Sequence, residues 1–172
     1  ELLHDRVNIL EVEAITGKEY FVRGSTALLD AVGHTIHKVG NAQRHAPDLE
    51  RAEHIMVVII TDGMENASRE YNHEAIRQMI ERQKEKYGWE FIFLGANIDA
   101  VASSARIGIN HNRTANFMPD KKGTRLNYDV LSETVSKVRG GQIVAENWKQ
   151  RIDEDYTKRN NEGVETKGRK KN

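Results

Sequence analysis

Six consecutive apolar residues, Ile55 to Ile60, constrain this chain more than any other stretch. A run that short, rich in Val and Ile and bounded by turn-formers, reads as a strand buried on both faces. Such strands lie in parallel sheets covered by helices. The run stops at Thr61-Asp62-Gly63, with Glu65 and Asn66 close behind. Open α/β sheets take their ligands in the crevice beyond the carboxyl ends of central strands, and grouped oxygen donors there suit a hard divalent cation. Taken alone, Asp62 and Asn66 read equally well as turn and helix-cap residues.

The neighbouring segments follow the same grammar. Arg6 to Ile15 reads as a strand with a phase slip, since Val7 and Ile9 share one parity and Leu10, Val12 and Ala14 the other. Glu19 to Val22 is a short extended piece. Ser25 to Val39 carries Leu28, Ala31, Val32, Ile36 and Val39 at helical spacing, with Ser25 as a candidate cap and Gly40-Asn41 as the stop. Asn72 caps a helix from His73 to Tyr87 that Gly88 ends. Trp89 to Leu94 is a second buried strand, adjacent and parallel to the first. A short helix from Ile98 to Ile107 turns Val101, Ala102 and Ala105 inward, and Asp99 suits its start. Thr114 to Met118 is a weak strand, and Leu126 to Val138 a helix with Val130, Leu131, Thr134, Val135 and Val138 on one face. Alternating strands and helices predict an α/β fold, a doubly wound, mostly parallel sheet flanked by helices. Residues 1–140 form this domain and 141–172 an extension. In the extension Val144, Trp148, Ile152 and Tyr156 keep a four-residue spacing, and beyond Lys158 the basic tail reads as disordered and dispensable.

Charge narrows the function. Lys and Arg number 26 and so do Asp and Glu, so no global field draws the chain to nucleic acid or an anionic membrane. The chain has no cysteine, which removes disulfides, thiolate zinc sites and cysteine nucleophiles and suits the cytoplasm. No apolar run reaches membrane-spanning length. His34 and His37 lie three apart on a helix without a placed partner, the pattern of solvent-facing histidines. No nucleophile elbow, phosphate loop or dinucleotide fingerprint is present. The first residue is Glu rather than Met, which points to a cut, processed or engineered N-terminus.

Gly24-Ser25-Thr26-Ala27-Leu28 opening a helix, followed by an apolar strand ending Thr61-Asp62-Gly63, resembles the von Willebrand factor type A (VWA) domain. These pieces look like the second and third parts of that family's metal-ion-dependent adhesion site (MIDAS), and the resemblance runs from about Arg6 to Gly140. It implies a Rossmann-like fold with Thr26 and Asp62 as ligands of Mg²⁺ or Mn²⁺. Ser25, Gly63, Glu65 and Asn66 would lie behind them or face a partner. The family's D-x-S-x-S segment is absent here, so the fold is expected to be N-terminally incomplete by roughly 40 residues, with Ile55 to Ile60 left with an unpaired edge and metal binding weak or lost. The implied function is a non-enzymatic protein-binding module that engages a carboxylate on a partner protein. The alternative is a metal-dependent hydrolase or a subunit of an ATP-driven complex, against which stands the lack of a placed general base.

Overall fold

The computed structural model describes residues 2–18 and 24–168. Among them three strands, β1 (Met56–Thr61), β2 (Glu90–Gly95) and β3 (Thr114–Asn116), form one parallel sheet in the order β1-β2-β3. The two apolar runs pair in parallel, Met56 opposite Glu90 through Thr61 opposite Gly95. On the far side of β2, Phe93 to Gly95 align with Thr114 to Asn116. The expected extended piece over Glu19 to Val22 lies outside the described residues.

Among the described residues five α-helices cover the sheet: α1 (Leu28–His45), α2 (His73–Tyr87), α3 (Ala100–Arg106), α4 (Lys121–Arg139) and α5 (Gln150–Gly168). The pleat of β2 divides them. Phe91 and Phe93 meet Leu29, Val32 and Ile36 of α1 and Ile76 and Ile80 of α2. Ile92 and Leu94 point the other way, to Val130, Leu131 and Val138 of α4 and Ile152 of α5. Alternation along one strand thus builds two cores, and full burial of each such side chain contributes about 1.5–3 kcal/mol.

Boundaries at α2 follow the sequence closely. Asn72 Oδ1 accepts the Ala75 N–H at 2.9 Å, and Gly88 ends the helix in the left-handed region at φ 67°. Other expectations need correction. Helix α1 starts at Leu28 rather than Ser25 and passes through Gly40-Asn41 to His45. A glycine stops a helix only when the chain turns left-handed there. Instead Ala46, extended ahead of Pro47 at ψ 142°, ends this one. The inward face of α3 is Ala100, Ser104 and Ile107, with Val101, Ala102 and Ala105 exposed. A three-residue strand and a short helix leave too few turns for apolar spacing to fix the face.

No strand forms over Arg6 to Ile15. That segment holds a 3-10 turn, Ile9–Glu11, and its apolar side chains lie exposed. Its phase slip denies it one apolar face, so no sheet position could bury it. Among the described residues β1 lies at the edge of the sheet, as an N-terminally incomplete fold implies, but it is not buried on both faces: Ile60 is 42% exposed. The first part of the segment after residue 140 is joined to the rest by the second core. Val144, Trp148 and Ile152 are buried in it, Trp148 Nε1 donates to Asn112 O at 2.8 Å, and Lys149 Nζ donates to Thr114 O at 2.8 Å. Val144 and Trp148 precede α5. The helix continues past Lys158, with Arg159 bonded to Asp155 and Asp120.

Candidate functional site

Two loops meet at the carboxyl end of β1. One leads into α1 and carries Ser25 and Thr26; the other follows β1 and carries Asp62, Gly63, Glu65 and Asn66. Their backbones are stitched directly. The Thr26 N–H donates to Asn66 Oδ1 at 2.9 Å, and the Asn66 N–H returns to Thr26 O at 3.1 Å. A Cβ built on Gly63 would stand 3.6 Å from Thr26 Oγ1, so the Thr26 hydroxyl lies beside the turn. Within that turn the Thr61 hydroxyl, buried, donates to Gly63 O at 2.8 Å.

A reciprocal clamp holds these loops in register. The first N–H groups of any helix lack intrahelical partners, and the α1 cap residue, Ala27, has no side chain to supply one. Glu65 Oε2 accepts the Leu29 N–H at 3.0 Å, and Ser68 Oγ accepts the Asp30 N–H at 3.1 Å. The Ser68 hydroxyl donates to the same Glu65 oxygen at 2.8 Å. Glu65 Oε1 takes the N–H groups of Ala67 and Ser68 at 2.9 and 2.7 Å. In return Asp30 Oδ2 accepts the Arg69 N–H at 2.8 Å, and its Oδ1 accepts those of Glu70 and Tyr71, both at 3.0 Å.

The electrostatics follow from these bonds. Partial burial pushes the Glu65 carboxyl up, but the Ser68, Leu29 and Ala67 N–H groups and the Ser68 hydroxyl outweigh it and hold the acid below its ordinary range. At Asp30 the Arg69 N–H is the largest influence and lowers the carboxyl against a smaller desolvation effect. The Tyr71 and Glu70 N–H groups and the nearby His34 add to the lowering. The positive end of the α1 dipole favours both anions.

Among the candidate residues, Thr26, Asp62, Gly63, Glu65 and Asn66 come together at this edge, with their tasks divided. Glu65 and Asn66 are committed to joining the loops. Ser25 is exposed and does not cap α1. Asp62 is exposed, and its carboxylate makes no hydrogen bond or ion pair among the described residues. Asp30 and Ser68 are central to the clamp and were not singled out from the sequence. An acid in the first turn of a helix is a signal for Asp30, but nothing local to Ser68 reveals a partner 38 residues away.

In kind, the Thr26 hydroxyl and the Asp62 carboxylate suit a hard cation; in number they fall short of a full shell. No three acidic or histidine side chains converge among the described residues. His34 and His37 are exposed and pack against Tyr71, with ring centroids 5.6 and 6.1 Å apart, and His34 Nε2 lies 3.3 Å from Glu70. No helix among the described residues is long and apolar enough to cross a membrane. No protein-family model matches the sequence, and neither curated proteins nor solved structures give a match.

Proposed function

We propose that the carboxyl edge of β1 is a cation-dependent protein-binding surface of the VWA type, with Thr26 and Asp62 as its metal-facing groups. The observation that carries this reading is the division of labour at the edge. Glu65 and Asn66 lock the two loops together, which leaves the Asp62 carboxylate exposed and uncommitted beside the Thr26 loop. A locked frame around a free acid is what preorganised cation binding requires. A bound Mg²⁺ or Mn²⁺ would supply a positive centre that a partner's carboxylate can complete. In this reading Thr26 contributes orientation and Asp62 charge. Binding, rather than turnover, is the activity, because no general base is assigned at the edge.

Two protein donors leave a small, strongly hydrated cation largely in water, so the chain alone should bind Mg²⁺ at about millimolar strength or weaker. Calorimetric titration of Mg²⁺ and Mn²⁺ tests this in three proteins: the chain, its Asp62→Ala variant, and the chain extended by an upstream D-x-S-x-S segment. The extension should tighten binding and Asp62→Ala should abolish it, with circular dichroism unchanged. Tight binding that survives Asp62→Ala would place the metal elsewhere and end this reading. Metal-dependent hydrolysis lost in Asp62→Ala would replace it with the hydrolase alternative.

A further inference from the structure

At the opposite, amino-terminal end of the sheet, a cavity of about 450 Å³ opens between the second halves of α1 and α2. Its floor is apolar and includes the buried Ile36 and Trp89. The polar lining is one-sided. Arg44, Arg51 and Arg82 reach it, and among the described residues no Asp or Glu does, in a chain whose charges otherwise balance. Arg51 is spoken for, with Nη1 2.8 Å from Asp48 and Nε on Ala46 O at 3.1 Å. Arg44 and Arg82 have no hydrogen bond or ion pair among the described residues.

Arg44 sits in the last turn of α1, where a cation commonly serves the exposed carbonyls. Here other groups serve them: His45 Nδ1 is 2.8 Å from Asn41 O, and Arg51 takes Ala46 O. A second observation is independent of charge. Gly40 lines the cavity from the interior of α1, where glycine weakens a helix relative to alanine, yet a Cβ built on it meets nothing within 4 Å. Packing within the chain does not require that glycine, and any side chain there would occupy the cavity. The wall is also fixed in advance, since Gln43 Oε1 holds the Ala52 N–H at 3.1 Å.

We propose that this cavity binds a small organic anion: an apolar, preferably aromatic body lies over Trp89 against the bare backbone at Gly40, and its acidic group is held by Arg44 and Arg82. Guanidinium pairs recognise carboxylate, sulfonate and phosphate oxygens alike, and the volume lies within the range of small-molecule sites.

The test uses the full chain and two dyes, anilinonaphthalene sulfonate and its uncharged parent phenylnaphthylamine, followed by fluorescence. The charged dye should bind saturably at one site per chain and more tightly than the neutral one. Arg44→Gln with Arg82→Gln should weaken the charged dye at least about tenfold and leave the neutral dye unchanged. Gly40→Leu should abolish binding of both while the melting temperature holds or rises. The proposal is overturned if the charged dye does not saturate, or if Gly40→Leu binds it as the parent chain does. It is equally overturned if the arginine pair makes no difference. The arginine pair lies on the surface, so that arm stands even if leucine at position 40 disturbs the helix.

Discussion

Asp30 and Glu65 are acids whose work is structural, and that gives the clamp a pH signature. Both carboxyls lie below their ordinary range in the folded chain. A group lowered on folding adds stability that is complete above its unfolded pKa, about 4, and is lost as pH falls through the lower folded value. Melting temperature should therefore be flat from about pH 7 to 5 in this respect and fall below about pH 4. Asp30→Asn with Glu65→Gln should lower the plateau and flatten the fall. Thermal melts between these limits check both. Asp5, which only pairs with Lys38 at 2.8 Å and more distantly with Arg6, provides the control. Asp5→Asn should cost less than Asp30→Asn, because an exposed ion pair contributes little and three backbone N–H groups lose no acceptor. Glu65 and Asn66 were legible as polar groups at a strand end, while their engagement with the start of α1 and with the Thr26 loop before it depends on contacts across 36 and 40 residues.

Helix α1 contains two glycines that should respond in opposite directions to the same change. Gly33 is buried against Tyr71, and a Cβ there would come within 2.7 Å of the ring. Gly33→Ala should destabilise by about 1–3 kcal/mol, the overpacking cost exceeding the gain in helix propensity of about 1 kcal/mol. Gly40→Ala should stabilise by about 0.5–1 kcal/mol, since nothing opposes the new methyl. Denaturant melts of the two variants should move to opposite sides of the parent. In α2 the Asn72 cap is worth about 1 kcal/mol to Asn72→Ala. That cap and its Gly88 stop were readable because both act within a few residues. The faces of α3 and the ends of α1 were not, since tertiary packing and Pro47 decide them. At the far end of the chain, removing residues beyond Lys158 deletes the pairing of Arg159 with Asp155 and Asp120. The melting temperature should drop by a few degrees, because Arg159 ties α5 to Asp120, the cap of α4, and such a pair contributes about 1 kcal/mol.

Over the whole molecule, sequence made the parallel pairing of β1 with β2 and the helices on either side legible, because uninterrupted apolar strands have few other solutions. It overstated the burial of the faces of β1, while the expected open edge is there: no strand lies beside its outer side among the described residues. Ile55 O and Thr61 O accept from Glu90 and Ala96, so the amides of Val57 and Ile59 face β2 and those of Val58 and Ile60 face outward. Hydrogen exchange should be faster at Val58 and Ile60 than at their neighbours, and equal protection along β1 would contradict the open edge. The clamp also sets a clock. Its bonds join residues 36 to 41 apart, and a chain must close such a span before any of them can reward it. Bonds across such a span are expected to close late, so Asp30→Asn should leave the folding limb of a chevron plot almost unmoved and speed unfolding. How long the folded edge persists, rather than how quickly the chain arrives there, is the quantity Asp30 governs.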